Sequence, residues 1–288
     1  MGHLNCRFSI SPGSKQKSAI GNYGGQTIDN LQSAIGNQKS SIGNPEVRIF
    51  EDLERLSWAA ATRLEEQARV KLLEKKPFSV ALSGGSTPKP LYDLLGSQMF
   101  AGRVRWQNVH LFQVDERCVP PDDAQSNYRM ICRALLVSTP LPDENFHRMA
   151  AERADREQAA REYAEDLARV LQPAPGECPR LDLIFLGMGA DGHTASLFPG
   201  SPALDERTAW VTPNFAAQLN SFRLTLTLPV LNAAAHVIFL VAGADKAETL
   251  RQVLEGPEGH FPAQLIQPAH GRLSWFLDES AASLLKKP

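Results

Sequence analysis

From residue 45 onward, apolar positions along the chain fall into two alternating patterns. Predominantly apolar runs without strict alternation, at residues 78–82, 109–114, 181–186 and 236–241, read as strands buried on both faces. Shorter stretches at 47–50, 209–211, 223–227 and 273–277 read as further strands. Between them the period lengthens. Residues 51–75 are rich in Ala, Leu, Glu and Arg and predict a helix. In the segment 154–171, Ala160, Tyr163, Ala164, Leu167, Val170 and Leu171 fall at i, +3, +4, +7, +10 and +11. That spacing is one face of a 3.6-residue period. Helices are also predicted over 126–136, 244–254 and 279–285, and a short one over 89–95, with Pro88 suited to its first turn.

Strands and helices alternate, and the central strands have no polar face. Such strands need cover on both sides, which predicts an α/β domain with a mostly parallel, doubly wound sheet over residues 46–288. Residues 1–45 differ. Ile20-Gly-Asn, Ile28-Asp-Asn, Ile35-Gly-Asn and Ile42-Gly-Asn recur at spacings of 8, 7 and 7. A coiled coil is excluded, because each repeat offers one apolar position followed by residues that disfavour helix. With few apolar groups to offset the ordering entropy, this segment predicts a disordered low-complexity tail.

Composition narrows the function only a little. Of 288 residues, 43% are hydrophobic and 22% charged, as in ordinary soluble domains. A net charge of -2 argues against a general nucleic-acid or anionic-membrane surface, while a local site for a small anion stays open. No apolar run approaches the roughly 18 residues of a membrane helix, and the N-terminus lacks a secretory core. Cys6, Cys118, Cys132 and Cys178 form no C-x-x-C pair, which speaks against a thiolate zinc site and for a reducing, cytoplasmic setting. No feature sets the oligomeric state, and a monomer is compatible with every motif.

In a parallel sheet, ligands sit outside the carboxyl ends of the strands. Polar and glycine-rich residues cluster at three such ends. The first, Gly187-Met-Gly189-Ala-Asp191-Gly192-His193, spells G-x-G-x-x-G. A dinucleotide turn needs a long helix and then a second strand ending in an acid. Here Pro199, Gly200 and Pro202 break the chain within two turns, so a dinucleotide cofactor is not expected. The placement favours chemistry by His193, with Asp191 orienting its ring or raising its basicity. The second, Ser83-Gly84-Gly85-Ser86-Thr87-Pro88, fits either a plain strand-to-helix turn with Thr87 as N-cap, or an anion cradle of backbone N–H groups and hydroxyls. The third, Asp115-Glu116-Arg117, ends a buried strand, so Asp115 or Arg117 is expected to point into the site. Arg223 and Lys246 are further candidate cations. There is no G-x-S-x-G elbow and no H-E-x-x-H or other compact metal cluster, so neither a serine nucleophile nor a metal is expected.

Together these stretches resemble the 6-phosphogluconolactonase family, through "SGGSTPKPLYDLL", "VDERCVPPDDAQSNYRM", "GMGADGHTASLFPGSPAL", "RLTLTLPVLNAAAHVIFLVAGADKAETL" and "PAHGRLSWFLDES". They occur in family order from about residue 46 to the end. The resemblance implies a modified Rossmann-like fold that binds a sugar phosphate without cofactor, and hydrolysis of 6-phosphoglucono-δ-lactone. It implies His193 as general base, and phosphate binding by Gly84, Gly85, Ser86, Thr87, Arg117, Arg223 and Lys246. Asp115 matches a site position of the wider group. The related glucosamine-6-phosphate deaminases carry a glutamate five residues after the histidine; here that position is Phe198. The alternatives are thus an amino-sugar-phosphate deaminase, disfavoured by Phe198, and a non-catalytic sugar-phosphate sensor, which would not need His193 and Asp191.

Overall fold

The computed structural model describes residues 45–286. The expected tail lies outside the described residues, Pro45 apart. The chain runs β1 (Glu46–Phe50), α1 (Leu53–Leu73), β2 (Phe78–Leu82), α2 (Lys89–Leu95), α3 (Gln98–Ala101), β3 (Val109–Gln113), β4 (Asp115–Arg117), α4 (Asn127–Ala134), β5 (Phe146–His147) and α5 (Arg156–Leu171). It continues through β6 (Leu183–Leu186), β7 (Val211–Ala216), β8 (Ser221–Leu226), α6 (Leu228–Ala233), β9 (His236–Val241), α7 (Ala247–Glu255) and β10 (Arg272–Asp278).

Seven strands form a parallel sheet in the order β1-β10-β9-β6-β2-β3-β5. Its cover explains the predominantly apolar runs. Val80 and Leu82 of β2 pack with Leu56, Leu64, Leu91, Leu95 and Ile131 of α1, α2 and α4. Ala81 between them faces a second cluster, which includes Tyr163, Leu167, Leu231 and Leu250 of α5, α6 and α7. The strand period of two thus feeds two cores, one on each face. On α1, Leu56, Ala60, Leu64 and Ala68 form the buried stripe, and the Asp52 carboxylate accepts from Arg55 N at 2.8 Å to cap the first turn. A cap of this kind contributes about 1 kcal/mol.

Chain direction through the sheet reverses between β2 and β6. From β2 the order proceeds to β3 and β5; from β6 it proceeds the other way, to β9 and β10. The crevice outside the carboxyl ends of β2 and β6 is therefore the switch point where such sheets bind ligands. The loops leaving these two strands are Ser83–Pro88 and Gly187–His193.

The structure corrects several expectations. Asp115–Arg117 is not the end of β3 but a separate strand, β4, which pairs antiparallel with β8 in a second sheet of order β4-β8-β7. The strand expected at 209–211 runs instead as Val211–Ala216, because β7 is an edge and an edge tolerates Pro213. Residues 279–285 form turns rather than a helix; Asp278 Oδ1 accepts from Ala281 N at 2.7 Å and closes the first of them. The short β5 and α6 had no counterpart in the sequence reading.

Far from the crevice, His236 joins a partly buried hydrogen-bond chain. Gln67 Nε2 donates to its Nδ1 at 2.8 Å, and Nε2 donates to Ser274 Oγ at 2.9 Å. Ser274 in turn donates to Glu46 Oε2 at 2.9 Å. Burial first, then the charges of Arg272 and Arg63, lowers the His236 pKa to about 3. A depressed base is neutral in the fold but charges in the unfolded chain. Its stability contribution is therefore complete above pH about 6.5 and declines as pH falls toward 3. Going from pH 7 to pH 5 withdraws about 2 kcal/mol through this residue. Urea melts at both pH values should show His236→Gln losing about that much of the wild-type difference; an unchanged difference would contradict it.

Candidate active site

The turn after β6 is built around its glycines. Gly189 N donates to His193 O at 2.9 Å, and Gly192 N to Gly189 O at 3.0 Å. A Cβ on Gly189 would lie 2.1 Å from His193 Nδ1 and 2.5 Å from Asp191 Oδ1. Only glycine lets imidazole and carboxylate pack against this backbone. His193 Nδ1 meets Asp191 Oδ1 at 2.5 Å, and His193 N donates to the same oxygen at 3.2 Å. Burial pushes the Asp191 pKa up, but the His193 hydrogen bond and charge, with backbone N–H donors, carry it below the usual carboxylate range. An ionised partner at Nδ1 fixes that nitrogen as the proton carrier and leaves Nε2 basic. Gln218 Nε2 approaches the other Asp191 oxygen at 3.5 Å. Thr249 Oγ1 on α7 donates to Ala190 O at 2.6 Å and pins the turn.

The ring of Phe198 lies 4.6 Å from that of His193, tilted by 40°. Phe198 is buried, so one wall of the histidine is apolar.

The loop after β2 exposes Gly85 and Ser86 and half-buries Gly84 and Thr87. Gly85 takes a φ of 108°, open to glycine and strained for other residues. Thr87 is not the N-cap anticipated: α2 follows Pro88 and has no side-chain cap, so the Ser86 and Thr87 hydroxyls are not spent on it. A Cβ on Gly84 would fall 1.7 Å from Asn127 Oδ1. Gly84→Ala must therefore displace Asn127, whose Nδ2 donates to Asp115 O at 2.9 Å and to Asp115 Oδ1 at 3.2 Å. We expect a loss of about 1–3 kcal/mol in denaturant melts, together with reduced turnover; wild-type stability would show that the contact yields freely.

In β4 the alternation of a strand separates the charged triplet. Glu116 turns into the protein and is 2% exposed. Its carboxylate accepts from Arg117 N, Asn127 N, Tyr128 N, Gln113 Nε2 and Ser126 Oγ at 2.7–3.2 Å. Burial raises its pKa against these donors. Glu116 thus staples β4 to the start of α4. Asp115 and Arg117 lie on the other face, opposite Thr225 and Arg223 of β8. Facing arginines repel. Burial and then the charge of Arg117 lower the Arg223 pKa, while Asp115 opposes the shift. Arg223 Nη1 donates to Ser221 Oγ at 2.6 Å and Phe222 O at 3.0 Å, and Arg117 Nη1 to Gln125 O at 2.5 Å. Two adjacent guanidinium groups without a carboxylate salt bridge of their own form a natural anion seat.

The predicted residues therefore assemble unevenly. His193 and Asp191 are in contact, Arg117 and Arg223 face each other, and Gly84 reaches Asp115 through Asn127. Lys246 stands in the turn after β9, with Nζ 2.9 Å from Asp245 Oδ2, and has no contact with the arginines. Sequence reasoning missed Glu116, Asn127, Ser196 and Gln218. Ser126 and Asn127 signalled only a helix start, and within its triplet nothing singled out Glu116. Among the described residues no group of three or more His, Cys, Asp or Glu is arranged to hold a metal ion.

Residues 51–275 match the family model for glucosamine-6-phosphate isomerases/6-phosphogluconolactonase. The chain belongs to this family. It is 40% identical over 236 residues to a 6-phosphogluconolactonase of Synechocystis, covering 81% of this chain and 94% of the relative. It is 39% identical over 246 residues to the Homo sapiens 6-phosphogluconolactonase, covering 84% and 94%. Among solved structures, 6-phosphogluconolactonase from Trypanosoma brucei superposes with a TM-score of 0.75 at 29% identity, covering 84% of this chain and 99% of that one. A monomeric glucosamine-6-phosphate deaminase shares the fold, with a TM-score of 0.70 at 22% identity. Family membership fits the modified Rossmann-like sheet and the position of the two loops at its switch point.

Proposed function

We propose that this chain hydrolyses 6-phosphoglucono-δ-lactone to 6-phosphogluconate, the lactone step of the oxidative pentose phosphate pathway. The lactonases in the family, about 40% identical over most of this chain, support the reaction. The observation that carries the chemistry is the His193–Asp191 pair at the switch point, walled by Phe198 where the deaminases have an acid.

In the proposed mechanism, neutral His193 takes a proton from water at Nε2. The resulting hydroxide bonds to the lactone carbonyl carbon. Asp191, already ionised, stabilises the imidazolium that forms. The tetrahedral oxyanion collapses, the bond from carbon to ring oxygen breaks, and His193 returns the proton to that oxygen. One water is consumed, and the histidine ends as it began. Backbone N–H groups of the two glycine-rich turns supply donors to the oxyanion. The phosphate occupies the seat made by Gly84, Gly85, Ser86, Thr87, Arg117 and Arg223, with Lys246 as an outer cation. Anchoring the dianion there holds the carbonyl against the attacking water. No cofactor takes part, and the reaction's setting is the cytoplasm. No helix among the described residues is long and apolar enough to cross a membrane.

Acid release in a pH-stat from freshly prepared lactone, corrected for spontaneous hydrolysis, tests this reading. Acceleration is expected, with no ammonia from glucosamine 6-phosphate. Ammonia release would favour the deaminase, and binding without turnover a sensor.

A further inference from the structure

Asp115 and Ser196 join the two halves of the site. Asp115 is 7% exposed and both its oxygens are engaged. Oδ2 accepts from Ser196 Oγ at 2.6 Å, and Oδ1 from Asn127 Nδ2 at 3.2 Å. Each oxygen of this buried carboxylate is thus held by a protein donor, one of them on the His193 turn. Ser196, 1% exposed, follows His193 by three residues. Its other polar groups are also held by the small sheet. Ser196 N donates to Thr225 Oγ1 at 3.2 Å, and Ser196 O accepts from Asn214 Nδ2 at 2.7 Å.

The register places these partners together. Asp115 faces Thr225, and Asn214 faces Arg223, across β8. Residues opposite each other share a face, so Asp115, Arg117, Arg223, Thr225 and Asn214 form one polar surface. The phosphate seat and the clamp on Ser196 are thus built on the same face of the same three strands. The clamped turn needs holding. Ala195 takes a φ of 51°, the left-handed region that a residue with a Cβ adopts at a cost. Leu197 N donates to Thr194 O at 2.9 Å, and Phe198, next along, sets its ring against His193. Asn214 Nδ2 also donates to Ser201 Oγ at 3.0 Å, which accepts from Phe198 N at 3.2 Å.

We propose that Asp115 serves the reaction as a positioning residue, acting through Ser196 to hold the His193 turn, and does not exchange a proton with substrate. This rests on the lactonase reading. Misplacing the base by a fraction of an ångström leaves phosphate binding intact and slows turnover.

The test compares Ser196→Ala, Asp115→Ala, Asp115→Asn and the double alanine variant with wild type, on 6-phosphoglucono-δ-lactone. Ser196→Ala should lower kcat about tenfold or more with KM within about threefold. The double variant should be no worse than the poorer single one, since both break one link. Asp115→Asn, which still accepts from Ser196, should recover most of what Asp115→Ala loses. A direct proton-transfer role predicts otherwise: Asparagine as inactive as alanine, and Ser196→Ala within about threefold of wild type. Either of those results overturns the proposal. If the Asp115 variants do not fold, the kcat of Ser196→Ala decides alone. If wild type itself shows no turnover, the lactonase reading has failed. The imidazole ¹⁵N shifts of His193, compared between wild type and Ser196→Ala, then test the coupling, and unchanged shifts overturn it.

Discussion

His193→Ala lowers kcat by about 10²–10⁴-fold, the usual worth of a positioned general base, and leaves KM within about threefold. The reasoning starts from the ring. Its Nδ1 is committed to Asp191 at 2.5 Å, so the proton of the attacking water has one destination, Nε2. Alanine removes that acceptor and leaves the rest of the proposed mechanism untouched. The phosphate seat lies on other strands and loops, and neither arginine contacts the histidine. Binding therefore survives while proton transfer does not. Steady-state kinetics on the lactone separate the two parameters. A variant with unchanged kcat would remove His193 from the mechanism; one with a large rise in KM would make it a binding residue.

Arg223→Ala raises KM for the phosphorylated lactone by about 10–100-fold, the range for losing a charge-assisted hydrogen bond. Arg223 is 6% exposed, and Arg117 opposes it directly in register. Two cations held together against their own repulsion store an attraction that a phosphate dianion releases. Part of the loss is offset, because alanine also relieves Arg117. The control is glucono-δ-lactone without phosphate, whose kcat/KM should stay within about threefold. Equal losses on both lactones would place Arg223 in support of the fold instead of the phosphate. Circular dichroism and a thermal melt establish that the variant remains folded.

The sheet was legible wherever one period ruled. Leu183–Leu186 is apolar at every position, and Phe78–Leu82 at all but Ser79, because both faces are covered, and α5 shows its buried stripe at helical spacing. Of the three strand ends that the sequence groups, those after β2 and β6 flank the switch point, whereas Asp115–Arg117 belongs to a second sheet. What escaped was set by tertiary contact. Asp115-Glu116-Arg117 reads as the end of a buried strand until β8 is beside it, and only the strand alternation reveals that Glu116 faces inward to five donors. The strand expected at 209–211 extends through Pro213 to Ala216, which an edge strand allows. Residues 279–285 have helical composition, yet Asp278 caps a turn there. Ser196 gave no signal at all, since its significance lies in a partner 81 residues away. Phe198 was readable only against a relative with an acid at that place.

The central claim is that this chain accelerates lactone hydrolysis through His193. Phosphorus NMR of freshly made 6-phosphoglucono-δ-lactone tests it most directly, by following lactone decay with catalytic amounts of wild type, of His193→Ala and of no protein. The expected result is rapid conversion to 6-phosphogluconate by wild type alone, with the variant near the spontaneous rate. Decay by wild type at the spontaneous rate, or by His193→Ala at the wild-type rate, would contradict it.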